Sequence, residues 1–187
     1  MSQSSLQVSN PMKRLLILSF VITISLLTAC NEETAPLATV AKVDLNRYVG
    51  KWYQVAFIPN RFQSMCVADT QAEYQQDGDQ IRVINRCRTK DGSIEQANGV
   101  AKLVDASGNA KLRVSFFRPF YGNYWILDLD PHYQWVLVGE PSRKYGWILS
   151  RTAQLDPLIQ QKILEKAAML GYQTNQFQIS SQSNPLN

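Results

Sequence analysis

The sequence predicts an all-β fold: an eight-stranded up-and-down antiparallel barrel with one C-terminal α-helix packed on it. Two observations carry the prediction. From Gly50 onward, apolar residues recur with period two in short segments broken by turn residues, and a helical period appears only once, near the end. Size and composition agree, since 187 residues, 45 % hydrophobic and 18 % charged, suffice for one core and exclude disordered, collagen-like or coiled-coil classes.

Trp52, Gln54, Ala56 and Ile58 share one parity, as do Ala68, Thr70, Ala72 and Tyr74. Ile81, Val83, Asn85 and Cys87 face opposite to Arg82, Arg86 and Arg88, across a turn marked by Asp77-Gly78-Asp79. Further strands are expected over 96–104, 111–117, 123–129, 133–139 and 145–151, with Ser107-Gly108-Asn109, Pro119, Gly122, Asp130-Pro131 and Pro141 as breaks. The helix spans about 156–170, with Asp156 as N-cap, Pro157 in the first turn, Ile159, Ile163, Ala167 and Leu170 on one stripe, and Gly171 past the end. A short ninth strand is expected around 177–180. Eight short strands in hairpin succession suit a closed barrel, which leaves no free edge and encloses a small cavity; a sandwich gives similar spacing.

The N-terminus reads as processing. Lys13 and Arg14 form a positive region, 15–29 carries no charge, and the tetrapeptide Leu27-Thr28-Ala29-Cys30 resembles the bacterial lipobox. Fifteen uncharged residues give about 22 Å of helix, short of the roughly 30 Å hydrocarbon core. The expectation is therefore a lipoprotein signal peptide over 1–29, with 1–11 a mis-assigned start, and Cys30 carrying acyl chains such as palmitate. Asn31 follows, not the Asp associated with inner-membrane retention, so an outer-membrane anchor is expected. Residues 30–42 read as a lipidated tether, 43–180 as the barrel domain and 181–187 as a tail.

Formal net charge is +4. Removing 1–29 takes away Lys13 and Arg14, leaving +2, and no run of basic residues exceeds two, so nucleic acid is not an expected partner. One histidine, His132, and three scattered cysteines offer no metal site, no G-x-S-x-G elbow or phosphate-cradling glycine loop occurs, and neither enzyme chemistry nor a cofactor is expected.

The segment Gly50-Lys51-Trp52-Tyr53-Gln54-Val55-Ala56 resembles the G-x-W opening motif of the lipocalins. Asp128-Leu129-Asp130 stands in the place of their second motif, with Pro131 where an aromatic is common, and Ser150-Arg151 resembles the third. Residues 114–122 and 147–151 look closest to bacterial outer-membrane lipocalins. The resemblance covers about 44–177. It implies structural tasks for Gly50, Trp52 and Arg151, the guanidinium stacking on the indole to close one end of the barrel.

With the Trp52 parity inward and hairpin pairing carried around the barrel, the expected ligand-binding lining is Ala56, Tyr74, Val83, Ala101, Val114, Phe116, Tyr124, Trp135, Leu137, Tyr145 and Trp147. Arg82, Arg86 and Arg113 fall outside. Such walls suit a fatty acid or lysophospholipid. Turns alternate between the barrel's ends, which gathers Arg61, Arg88, Lys90, Arg118, Arg143 and Lys144 at the open rim, with Arg61 and Arg118 expected to hold an anionic head group. The β-hairpin around Gly78 places Cys66 and Cys87 within a few residues of each other on one face, so a disulfide is expected. The expected function is a lipid-anchored envelope lipocalin that binds, stores or transports such lipids. An envelope scaffold with protein partners and a weak lipid-modifying enzyme are the alternatives, and a homodimer is left open.

Overall fold

The computed structural model describes residues 35–186; Cys30 and the signal segment lie outside the described residues. A single helical turn, α1 (Leu45–Tyr48), comes first, capped by Asp44, whose carboxylate accepts from the Asn46 N–H. Four residues are too few to show a period, and the sequence reading has no counterpart for it.

Eight antiparallel strands follow: β1 (Gly50–Phe57), β2 (Cys66–Asp77), β3 (Gln80–Thr89), β4 (Ile94–Leu103), β5 (Lys111–Phe117), β6 (Phe120–Leu129), β7 (Trp135–Gly139) and β8 (Gly146–Ser150). Each pairs with its chain neighbour, β8 pairs with β1, and β1 pairs with β2, which closes the barrel. Helix α2 (Pro157–Met169) starts where expected: the Asp156 carboxylate accepts from the Leu158 and Ile159 N–H groups, and Pro157 opens the first turn. Gly171, at φ +86°, takes the left-handed conformation that ends it.

The β1–β2 ladder runs only from Gly50 opposite Tyr74 to Tyr53 opposite Gln71. Toward the open end the C-terminal segment fills the seam. Strand β9 (Gln178–Ile179) pairs with β1, Asp69 N–H donates to Ser181 O, and the Gln182 amide donates to the carbonyls of Gln54 and Thr70. Asp69, fully buried, accepts from Asn184 N–H and from Arg88 Nε at 2.7 Å. Arg88, expected at the rim, is thus occupied in fastening the tail.

Residues 36–42, expected as tether, and Val43, where the barrel domain is expected to begin, lie against the barrel. Leu37 and Val43 are buried and Val40 N–H donates to Ile126 O, so this stretch is packed on the barrel. Cys66 and Cys87 form the expected disulfide, with Cα atoms 5.5 Å apart. Two irregularities in the β2–β3 ladder set Cys66 opposite Thr89.

Two apolar clusters result. One fills the barrel interior with Trp52, Tyr74, Val83, Ala101, Ile126, Val136, Val138 and Leu149; the other lies between the wall and α2, with Val55, Ala56, Leu127, Leu137 and Ile148 against Ile163 and Ala167.

Candidate functional site

One end of the barrel is sealed by side chains. The Arg151 guanidinium carbon stands 3.8 Å from the Trp52 ring centroid, and its nitrogens donate to the carbonyls of Arg47, Tyr48, Val49, Lys51 and Tyr133. Trp52 is fully buried and gives its indole N–H to Tyr48 O at 2.8 Å. Gly50 has φ +97°, and a Cβ there would stand 3.4 Å from Arg151, so glycine fits both the backbone and the cation. Gly50, Trp52 and Arg151 thus meet in one closure, and the last turn of α1, with Val49 after it, supplies three of the carbonyls that receive the guanidinium.

Above this plug lies a hydroxyl cluster. Tyr124 Oη is 2.7 Å from Tyr48 Oη and 2.8 Å from Tyr74 Oη. Burial pushes the Tyr74 hydroxyl up to about 12, and it raises Tyr48 and Tyr124 well above the ordinary phenol value. All three stay protonated in neutral solution.

The closed half of the interior is solid: Tyr74, Val83, Ala101, Ile126, Val136 and Val138 are all buried. The open half differs. Val114, Tyr124 and Trp147 pack on the interior cluster but remain partly exposed. Ala97 and Asn85, which pair with each other across β3–β4 on the inward face, are exposed and half-buried. A Cβ on Gly99 would stand 2.8 Å from the Phe116 ring, so that ring lies over the inward face of β4 while Phe116 stays 45 % exposed. Inward side chains that retain exposed surface outline a cup open at the rim. Trp147 gives its indole N–H to Gln63 Oε1, Gln63 donates to Gln54, and Tyr145 stacks on Trp147 and meets Phe62 at a tilt.

Tyr74, Val83, Ala101, Val114, Phe116, Tyr124 and Trp147 therefore face the interior, with Tyr145 at its mouth. Only Val114, Phe116, Tyr124, Tyr145 and Trp147 reach the hollow part. Three expected lining residues do not. Trp135 and Leu137 belong to the cluster beneath α2, because inward Trp147 pairs with Val138, which puts the even-numbered residues of β7 inside. Ala56 sits there too, because a bulge after Gln54 sets it opposite outward Ile148. Strand β7 is apolar on both faces, one covered by the interior and one by the helix, and such a run carries no alternation from which to read parity.

At the rim, neither Arg61 nor Arg118 forms an ion pair among the described residues. Arg61 lies 5.1 Å over the Phe62 ring, and Arg118 borders a groove of about 450 Å³ along the outer side of β3–β5, shared with Arg82, Ile84, Val100, Ser115 and Phe116. Arg143 is tied to the carbonyls of Leu170 and Pro141. Phe62, Met65, Phe117 and Phe120 are more than half exposed, the last two stacked at the tip of the β5–β6 hairpin. The sequence pattern does not single out this apolar rim, because the hairpin tip reads only as a turn. Among the described residues no group of His, Cys, Asp and Glu side chains could hold a metal.

A closed eight-stranded barrel with a plugged floor, an open mouth and a helix on its flank defines a calyx-type binding protein. The chain belongs to the lipocalin-like domain family, which it matches over residues 43–182. It is 38 % identical over 162 residues to temperature-induced lipocalin-1 of Arabidopsis thaliana, covering 81 % of this chain and 86 % of that one. To outer membrane lipoprotein Blc of Escherichia coli K12 it is 36 % identical over 155 residues, 81 % and 88 % of the two chains. Among solved structures, insecticyanin of the tobacco hornworm Manduca sexta superposes with a TM-score of 0.65 at 19 % identity, covering 79 % of this chain and 85 % of that one. Lobster apocrustacyanin A1 gives 0.62 at 22 %, with 74 % and 79 % covered. These two share the fold.

Proposed function

We propose that this lipocalin is a lipid-anchored envelope protein that binds a fatty acid or lysophospholipid, the acyl chain in the cup and the anionic head at the rim beside Arg61 and Arg118. The observation that carries the reading is the cup itself, whose inward walls of Val114, Phe116, Tyr124, Tyr145 and Trp147 keep exposed surface while the rest of the interior is filled. An apolar hollow with few polar groups suits an elongated hydrophobe. The relative named as an outer membrane lipoprotein supports placement at the outer membrane through Cys30. A binding role is favoured over catalysis because His132, the chain's one histidine, lies in the 130–134 turn at the closed end, its backbone N–H donating to the Asp130 carboxylate.

The test is binding of a fluorescent fatty acid to the purified protein, with mass spectrometry of organic extracts to identify retained lipid. Replacing Arg61 and Arg118 together by Gln should weaken an anionic lipid several-fold and leave a neutral alcohol of equal chain length nearly unaffected. Equal loss for both, or no loss for either, removes the rim from the reading. The exposed, stacked Phe117 and Phe120 favour a second reading, a surface that recruits a protein partner. That reading gains if the protein retains and binds no lipid.

A further inference from the structure

The floor of the cup holds polar groups that the protein itself leaves unpaired. Tyr48, Tyr74 and Tyr124 bring three hydroxyl protons to a chain of two oxygen–oxygen contacts, 2.7 and 2.8 Å. However the donors are oriented, two contacts use two protons, and the third finds no acceptor within the cluster. Tyr48 and Tyr74 are at most 5 % exposed, whereas Tyr124 keeps surface toward the hollow. The arrangement that fits has both neighbours donating to Tyr124, which then points its own O–H into the cup.

A matching acceptor stands one step nearer the mouth. Asn85 pairs with Ala72 and Ala97 on the inward face of β3, among small residues, and its Oδ1 is buried with no hydrogen-bond donor. Val83, opposite Tyr74, is two residues away on the same strand, so Asn85 and Tyr74 are diagonal neighbours across the ladder, roughly 7 to 8 Å apart at the backbone. Leaving either group unpaired against a purely hydrocarbon ligand carries a desolvation cost.

We propose that the tyrosine cluster and Asn85 form an inner polar subsite for a hydroxyl group carried along the ligand's chain. A hydroxyl is the group that both deficits fit, since its oxygen accepts from a tyrosine and its proton is donated to Asn85 Oδ1. The inference rests on the acyl-binding reading above and narrows its ligand class to hydroxylated chains. A bound water could serve both groups in the empty protein, and a hydroxylated ligand replaces it while a plain chain only expels it.

The test uses the full barrel protein and two probe types: stearic acid, and hydroxystearic acids with the hydroxyl at successive positions, each displacing a fluorescent fatty acid. Wild-type protein should bind one or two adjacent positional isomers about five- to tenfold more tightly than stearic acid, as expected for one or two neutral hydrogen bonds. In Asn85→Leu and in Tyr124→Phe that ratio should fall toward one. If all the acids bind with equal affinity, the hydroxyl subsite is wrong and the acyl-binding reading stands. If an isomer is preferred yet both variants keep the preference, the hydroxyl is read elsewhere and the assignment falls. If no acid binds at all, the acyl-binding reading fails, and the subsite with it.

Discussion

Replacing Arg151 tests whether the closed end is held by one cation. In Arg151→Ala the carbonyls of Arg47, Tyr48 and Val49, at the end of α1, lose their shared donor, as do those of Lys51 and Tyr133, and the Trp52 indole loses its stacked partner. The cation–π contact is worth about 0.5 to 2 kcal/mol. Hydrogen bonds from a charged donor contribute roughly 1.5 to 3 kcal/mol each when buried, but these converge on one half-buried group, and water reaches part of the site once the side chain is gone. A total loss of about 3 to 4 kcal/mol follows, or roughly 6 to 15 °C in Tm for a domain of this size. Arg151→Lys keeps the charge and loses the fork that serves several carbonyls at once, so it should recover less than half of the deficit. Urea unfolding followed by tryptophan fluorescence reads both variants. A loss below about 1 kcal/mol for the alanine variant, or full recovery by lysine, would refute the closure argument.

Four further outcomes are expected. Cys66→Ala should cost about 3 kcal/mol, the chain-entropy value for the roughly 20-residue loop it opens, and denatured, unreduced protein should show no titratable thiol from Cys66 or Cys87. Leu137→Ala should cost about 2 to 5 kcal/mol by opening a void beneath α2 while lipid affinity is unchanged, and a parallel loss of affinity would return Leu137 to the cup. Trp147→Glu should do the opposite, abolishing acyl-chain binding with a smaller effect on Tm, because its charge sits in the cup and can be reached by water from the mouth. Stability should hold up to the unfolded tyrosine value near pH 10 and fall as pH rises from there toward 12, since Tyr74 in the folded protein releases its proton only at about 12 and Tyr48 and Tyr124 are raised too. Spectrophotometric titration of tyrosinate checks this, and early ionisation of every tyrosine in the intact barrel would contradict it.

Much of the fold was legible because the physics that shapes it is local. Asp156, Pro157 and Gly171 mark the helix ends by capping chemistry, and the alternation in β3, with Ile81, Val83 and Cys87 buried and Arg82 exposed, shows where one face meets the interior and the other meets water. The Gly50, Trp52 and Arg151 closure was reached through the motif resemblance, whereas pairing arithmetic led to the disulfide. Parity failed where both faces are buried: Trp135 and Leu137 alternate with Val136 and Val138, and only the position of α2 says which pair it covers. It failed at Ala56 because a single bulge reverses every side chain after it. The Asp69–Arg88 ion pair links β2 to β3 and, through Asn184, fastens the tail across a long stretch of sequence, whereas the alternation of turns assigns Arg88 to the rim as a free charge. The Tyr48–Tyr124–Tyr74 cluster unites three elements that no local pattern connects.

The interior is divided along its axis, and the division bears on which residues can specify a ligand. The closed half, with Trp52, Val83, Ile126, Val136, Val138 and Leu149 all buried, supplies much of the apolar burial that a domain of this size needs. Residues there cannot be tuned for a ligand without loss of stability. The open half retains surface at Val114, Tyr124 and Trp147, so it contributes less to folding and has more freedom to vary. Tyr124 stands on the boundary: its ring packs on the solid core while its hydroxyl joins the floor of the cup. A substitution at Tyr124 should therefore change stability and ligand choice together, whereas one at Asn85 or Trp147 should act mainly on the ligand. Comparing unfolding midpoints with affinities across these three positions separates the axial division from an interior that is uniformly packed, in which all three would track stability alone.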